Sequence, residues 1–293
     1  MDSQQLLTFI AVAESGSFSA ASARLHLTQP AISKRIAALE QNVGEQLFDR
    51  VGKQIQLSQA GKVLLPHART IAQNLQAAER ALADLTGTVG GTLSIATSHH
   101  IGLHRLPPVL SDFSREHPDV VLDLHFLDSE KAMQAVLQGE FDLGVITLPD
   151  TLPRQIDSAP IWHDDLCFAV AENHPLAGRR VQLASLTEFQ AILPDSSTYT
   201  TQRVQQLFDR SRLPLKIHMV TNHLDTIKMM VSIGLGWGVL PRQMLDPDLR
   251  EVFTQVKPMH RELGAVTHRD RSLSNAGRIF LQLLKSHSQH QRR

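Results

Sequence analysis

The hydrophobic period of this chain changes once, and that change rules out a single uniform fold. Through residue 85 the apolar residues recur mainly every three or four positions, the spacing of helices that bury one face. From Thr92 onward, short apolar or alternating runs take turns with helical ones, as strands and helices do in an α/β sheet. Between them lies Thr86-Gly87-Thr88-Val89-Gly90-Gly91, expected to be a flexible hinge because its glycines neither pack nor hold a helix. A chain of 293 residues is long enough for a domain on each side of it.

Before the hinge, Gln4 to Glu14 reads as a helix with Leu6, Phe9, Ile10 and Ala13 on its buried face, and Ser15-Gly16-Ser17 ends it. Phe18 to Leu25 reads as a second, short helix whose Ala and Ser residues allow another helix to come close. After a tight turn at His26-Leu27, Thr28 can cap a third helix, and Pro30 fits its first turn, where no intrahelical donor is lost. Ile32, Ile36, Leu39 and Val43 fall in one narrow arc of that helix, and Pro30, Lys34, Ala37 and Gln41 lie opposite, flanked by Gln29, Ser33 and Arg35. A small, polar, positive outer face suits the DNA major groove. It equally describes an amphipathic surface helix, so its neighbours must decide. Gly44 is a plausible stop, Leu47-Phe48 packs back, and Arg50 to Leu57 reads as a two-stranded wing turning at Gly52 with Arg50 and Lys53 near its tip. Two short helices, a capped helix and a wing form a winged helix-turn-helix.

These residues resemble the DNA-binding domain of LysR-type transcriptional regulators. Ala20, Ala21 and Leu25 match the family's A-A-x-x-L second helix, Thr28 to Ser33 its S/T-Q-(P/S)-A-(V/I)-S third helix, and Ile36, Leu39 and Glu40 the following I-x-x-L-E. Gly44, Leu47, Phe48 and Arg50, then Leu57, Ala60 and Gly61, continue the pattern; Lys53 and Ser58 depart mildly, where arginine and threonine are common. The resemblance implies that Thr28, Gln29, Pro30, Ser33, Lys34, Arg35, Arg50 and Lys53 face double-stranded promoter DNA, cations on phosphates or base edges and Gln29 and Ser33 in the groove. Residues 59–86 read as one long helix with a heptad seam of Leu64, Ala68, Ile71, Leu75, Ala78, Leu82 and Leu85, bent at Pro66. Either this helix packs on its own domain or, like the family's linker helix, it pairs two subunits. The resemblance implies the homodimer, extends to a homotetramer, and leaves room for contact with RNA polymerase.

The region after the hinge resembles the same family's effector-binding domain, similar in fold to type II periplasmic binding proteins. The matches are Phe141-Asp142-Leu143-Gly144, His174-Pro175-Leu176, the Gly234-x-Gly236-x-Gly238-x-x-Pro241 run and a closing helix at about 276–287. The expected organisation is a winged helix-turn-helix over 1–58, a linker helix and hinge over 59–91, and an α/β effector domain over 92–293. The last divides into two Rossmann-like subdomains, 92–163 with 268–293 and 164–267, joined by crossover strands near Asp165 and Thr267. A parallel, doubly covered sheet follows from the strand–helix alternation, with one helix running from the first strand through Leu110 and Phe113.

In such sheets ligands bind beyond the carboxyl ends of strands, at helix N-termini. Hydroxyls stand at several of these junctions: Ser98, Ser129, Thr147, Thr200 and Thr201, with Asn222 at another. Each one alone is as readily a helix cap; together they suit a small polar or anionic metabolite, and the resemblance places the five hydroxyl residues in the inducer cleft. His99 or His100 would donate to an anion. His100 and His104 share a helix face, but no carboxylate or cysteine has ligand spacing nearby, so no metal is expected. Cys167, the one cysteine, reads as a core residue and suits a reducing cytoplasm.

Composition limits these readings. With 42% hydrophobic and 20% charged residues, no apolar run of membrane length and a polar, acidic N-terminus, the chain reads as cytoplasmic, with neither membrane span nor signal peptide. Lys and Arg number 29, as do Asp and Glu, so DNA binding must rest on where charges point and on more than one subunit. The competing reading is a cytoplasmic small-molecule-binding protein or an enzyme built on the α/β domain. No nucleophile elbow, phosphate-binding glycine loop or paired His–carboxylate motif supports catalysis, and no cofactor is expected. His163-Asp164-Asp165 stands at a predicted crossover, where a structural role is simpler.

Overall fold

The computed structural model describes residues 1–51, 54–84 and 89–290. Gly52, Lys53, Leu85 and the 86–88 part of the expected hinge lie outside the described residues, as does the side chain of Arg50. The chain divides into two compact units, Met1–Thr88 with Gln138–Glu140, and Val89–Leu137 with Phe141–Arg293.

In the first unit, α1 (Ser3–Ser15) starts in a reciprocal cap: the Gln5 N–H donates to Asp2 at 2.8 Å, and the Asp2 N–H to Gln5 at 3.0 Å. Next come α2 (Phe18–Arg24) and, after a turn with His26 at φ 51°, α3 (Gln29–Val43). Pro30 sits in the first turn of α3 and Gly44 closes it at φ 76°, a left-handed conformation that glycine adopts without strain. Ile32, Ile36 and Leu39 are buried against Leu6, Phe9, Val12, Ala21 and Leu47. Val43, expected on the same arc, is 37% exposed because it falls at the helix end, beyond the core. Thr28 occupies the cap position, but its hydroxyl makes no cap hydrogen bond, contrary to expectation.

Two contacts hold the wing to this core. Glu40 reaches past the end of α3 and accepts the Leu47 N–H at 2.8 Å. Strands β1 (Phe48–Val51) and β2 (Gln54–Leu57) then pair antiparallel, Phe48 opposite Leu57. Ser58 accepts the Gly61 N–H at 3.0 Å as α4 (Gln59–Asp84) begins. A Cβ on Gly61 would lie 2.2 Å from the Leu47 carbonyl oxygen, so only glycine permits this approach. The α4 helix runs unbroken through Pro66. Along its seam Ala68 is buried, whereas Ile71, Leu75 and Leu82 are 42%, 41% and 68% exposed.

The second unit opens with β3 (Gly91–Thr97). The single helix expected next is two, α5 (His99–His104) and α6 (Pro107–Glu116), because Pro107 and Pro108 lack the N–H groups needed to continue a helix but suit the first turn of a new one. The chain continues through β4 (Val120–Phe126), α7 (Ser129–Leu137), β5 (Leu143–Thr147), the 16-residue β6 (Ile156–Ala171), β7 (Arg180–Val181) and β8 (Ala191–Leu193). It ends with α8 (Tyr199–Arg210), β9 (Ile217–Val220), α9 (Leu224–Ser232), β10 (Trp237–Pro241), β11 (Leu249–Thr254), β12 (Met259–His268) and α10 (Asn275–His290).

The sheet is mixed rather than parallel, in the order β4-β3-β5-β12-β6-β10-β8-β9. Its two flanks, β4-β3-β5 and β10-β8-β9, are parallel, and β6 and β12 join them as a long antiparallel pair. Strand β6 pairs with β12 over 156–166 and with β10 over 166–169, so it changes partners near the expected Asp165. In β12, Leu263 to Val266 already pair with β5, which moves the return passage ahead of the expected Thr267. One apolar cluster gathers Leu93, Ile95, Phe113, Val145, Leu263, Phe280 and Leu284; another gathers Phe168, Val170, Leu193, Val204, Phe208, Trp237 and Val239. Among the described residues no helix is long and apolar enough to cross a membrane.

Glu40→Ala would leave the buried Leu47 N–H unpaired. It should cost about 1–3 kcal/mol, read as a lower denaturant midpoint with the helical circular-dichroism signal of the folded state retained.

Candidate functional site

Two surfaces carry chemistry. On the first unit, the side of α3 away from the core exposes Thr28, Gln29, Pro30, Ser33 and Lys34, with Arg35 half-buried at its edge. Gln29 also accepts a long 3.4 Å hydrogen bond from Ser19 on α2. The nearby Arg24 is paired with Glu14 at 2.7 Å, and Glu40 is spent on the wing. Lys34 and Arg35 make no ion pair among the described residues, so a domain of balanced charge still presents unneutralised cations on one helix face. The Arg50 backbone lies in β1; its side chain and Lys53 lie outside the described residues.

In the second unit, a cavity of about 290 Å³ opens beyond the carboxyl ends of β3, β4 and β5 and the starts of α8 and α9. Ser98, His99, His100, Ser129, Thr147, Thr200 and Asn222 line it, which brings together all but one of the expected residues. Ser98 precedes α5 and makes no cap hydrogen bond. Ser129 accepts the Thr147 N–H at 3.0 Å and so ties the ends of two neighbouring elements. Asn222 accepts the Asp195 N–H at 2.8 Å. Thr201 is the exception. It is buried, its hydroxyl donates to the Pro194 carbonyl at 2.8 Å, and its N–H is capped by Thr198 at 3.3 Å, so here the structural reading of the hydroxyl holds.

Other lining residues were not singled out from the sequence: Phe126, Glu130, Tyr199, His223 and, most consequentially, Arg261. Arg261 is buried in β12 and pairs through Nε and Nη2 with Asp164 on β6, at 3.3 and 3.0 Å. The same carboxylate takes Arg105 Nη2 at 2.5 Å and the Gln243 amide at 3.1 Å. His100 Nε2 faces it at a long 3.6 Å, and Nδ1 of this buried histidine has no hydrogen-bond partner. Burial works to raise the Asp164 pKa, but the His100 imidazole and the Arg261 and Arg105 guanidinium groups outweigh it and hold the carboxyl well below the usual range. Burial lowers the pKa of His100. Burial raises that of Glu130, whose carboxylate accepts the Tyr199 N–H at 2.6 Å. Burial also pushes the Cys167 thiol up to about 12, which leaves it without thiolate character. Among the described residues no group of three or more His, Cys, Asp or Glu side chains could hold a metal ion.

The family model for the bacterial regulatory helix-turn-helix of the lysR family matches residues 3–62, and that for the LysR substrate binding domain matches 86–289. Together they span most of the chain. It belongs to the LysR-type transcriptional regulators. A relative in Escherichia coli strain K12, the uncharacterized HTH-type transcriptional regulator YeiE, is 34% identical over 284 residues, covering 95% of each chain. The crystal structure of full-length CbnR complexed with target DNA shares the fold, with a TM-score of 0.66, 24% identity and coverage of 99% of both chains. The effector binding domain of QuiR in complex with shikimate matches with a TM-score of 0.61 at 17% identity, over 69% of this chain and 99% of that one. Similarity thus runs to regulators that bind promoter DNA, not to enzymes, and His163-Asp164-Asp165 belongs to an ion-pair network rather than a catalytic set.

In this LysR-type regulator Arg261 carried one sequence signal. It stands near the start of a strand whose later residues, Leu263 to Val266, are apolar, and burial of such a cation demands a buried carboxylate facing it. Asp164→Asn should therefore cost roughly 3–5 kcal/mol at neutral pH, the range for breaking a buried ion pair from one side. The folded pKa of Asp164 lies below its unfolded value, so its contribution is full above that unfolded value and is lost as pH falls through the folded one. Urea titrations of both proteins should differ fully at neutral pH and converge only below the ordinary carboxylate range. Equal stability at neutral pH would contradict this role.

Proposed function

We propose that this regulator, acting in the cytoplasm, reads promoter DNA as a dimer, and that a small anionic metabolite in the cavity shifts the relative placement of its two recognition helices. In this reading α3 enters the major groove. Lys34, Arg35, Arg50 and Lys53 meet phosphates or base edges, Gln29 and Ser33 reach base edges, and Pro30 and Thr28 contact methyl groups or backbone. The observation that carries it is the outer face of α3, exposed and bearing cations with no ion pair among the described residues. The CbnR complex with target DNA supports the DNA role.

The dimer reading rests on α4. Its seam residues Ile71, Leu75 and Leu82 stand exposed where the first turns have already used their share of the domain core. An exposed, regular apolar seam favours a second helix. Balanced charge makes one domain a weak binder, so pairing two recognition helices about one helical turn apart, or a multiple of it, supplies the affinity. A tetramer and a contact with RNA polymerase extend the same reading. The effector reading rests on Ser98, Ser129, Thr147, Thr200, His99, His100 and Asn222 around one cavity; in this reading the cavity lies between subdomains of roughly 92–163 with 268–293 and 164–267. The QuiR domain's complex with shikimate, a small carboxylic acid, supports that ligand class.

Fluorescence anisotropy of the full chain on the DNA upstream of its own gene tests the DNA reading. Lys34→Ala should weaken binding and reduce the slope of log affinity against log salt by about 1; an unchanged affinity and slope would remove Lys34 from the interface. Leu75→Lys should shift sedimentation towards the monomer and weaken operator binding in step. A monomer that binds as well as the wild type would refute the need for pairing.

A further inference from the structure

The wing is fastened at its base from two sides. Strand β1 begins one residue after Leu47, and β2 ends one residue before Ser58. These two residues close the base, the Ser58 N–H donating to the Leu47 carbonyl at 3.0 Å. The Ser58 hydroxyl donates to the Gln46 carbonyl at 2.6 Å and accepts the Gly61 N–H at 3.0 Å, so one side chain binds the wing base and the first turn of α4 together. From the other side, Glu40 near the end of α3 accepts the Leu47 N–H at 2.8 Å. The Gln46–Leu47 stretch is thus held by α3 through Glu40 and by the start of α4 through Ser58. Gly61 permits the closeness, since a Cβ there would meet the Leu47 carbonyl. Phe48 also anchors the base, its ring 5.4 Å from that of Phe9 and 6.0 Å from that of Phe18. Apolar burial is non-directional, whereas hydrogen bonds weaken steeply when bent. Phe48 therefore sets the depth of the wing, and the hydrogen bonds set its angle.

We propose that Glu40 and Ser58 are positioning residues of the DNA interface, holding the wing at the angle to α3 at which both meet one duplex. The proposal rests on the reading of Arg50 and Lys53 as phosphate contacts. A carboxylate on a helix that approaches phosphates meets like charge, so its presence there needs a use. Glu40 has one, a charge-assisted hydrogen bond to the backbone that an apolar residue could not make. The same stretch carries the start of α4, the helix of the dimer reading. The angle of the wing and the direction in which α4 leaves the domain are therefore set at one place.

Fluorescence anisotropy of the full chain on the DNA upstream of its own gene, measured over a salt series where circular dichroism shows each variant folded, tests this. Lys53→Ala calibrates the wing and should reduce the slope of log affinity against log salt by about 1. Glu40→Ala and Ser58→Ala should each reduce it by about 1–2, because a misplaced wing withdraws Arg50 and Lys53 together. Glu40→Gln keeps an acceptor and Ser58→Thr keeps the hydroxyl, so both should retain the wild-type slope. Lost stability alone lowers the amount of active protein and leaves the slope unchanged. Wild-type slopes in Glu40→Ala and Ser58→Ala, beside a reduced slope in Lys53→Ala, would overturn the positioning role while the phosphate reading stands. A wild-type slope in Lys53→Ala would remove that phosphate contact and the proposal with it. A reduced slope in Glu40→Gln would overturn the Leu47 hydrogen bond as the cause. If Glu40→Ala does not fold, the Ser58→Ala and Ser58→Thr pair decides.

Discussion

The buried carboxylate of Asp164 is the interaction on which the effector half of this regulator depends. It sits on β6 just before that strand changes partners, and it holds Arg261 on the antiparallel partner strand β12. It also holds Arg105, from the turn between α5 and α6. A charge this deep is tolerated only because several donors surround it, and removing the carboxylate leaves those donors uncompensated. The same network fixes the cavity wall, since Arg261 lines the cavity and His100 is packed beside it. The residues that support the strands therefore also line the cavity.

The DNA-binding half works by a different economy of charge. Its acidic residues are used locally: Asp2 caps α1, Glu14 pairs with Arg24, and Glu40 binds the Leu47 N–H that anchors the wing. A domain with little net charge is left with a cationic face on α3, because the carboxylates nearest it in the helical core are occupied and Glu45 and Asp49 lie beyond the helix. Direction rather than total charge makes it a candidate DNA reader. The seam of α4 divides similarly. Ala68 completes the core of the winged domain, and the turns beyond it leave Ile71, Leu75 and Leu82 exposed.

Much of this was legible in the sequence where the information is local. The third helix, its proline in the first turn, its glycine stop and the wing strands follow from period, capping residues and turn chemistry within a few positions. Most cavity hydroxyls were found in the same way, at the ends of strands and the starts of helices. Local rules failed where a hydroxyl has two uses. Thr201 and Ser98 look alike in sequence, yet Thr201 turns its hydroxyl to the Pro194 carbonyl whereas Ser98 caps nothing. The expected parallel sheet failed for a related reason. Alternating strands and helices describe each flank, but the antiparallel β6–β12 pair joins residues about a hundred positions apart.

What the sequence by itself determined is the architecture: two domains, a helix-turn-helix with a wing, a seam and an α/β domain of a recognisable family. Each depends on periodicity and short-range chemistry, which a linear chain displays directly. Only the tertiary structure decided the charge pattern of the cavity. Asp164 and Arg261 come together through sheet pairing, Arg105 reaches them from the turn after α5, and Glu130 meets Tyr199 across 69 positions of sequence. Charges interact through space, so their balance is a property of the folded neighbourhood and has no counterpart in spacing along the chain.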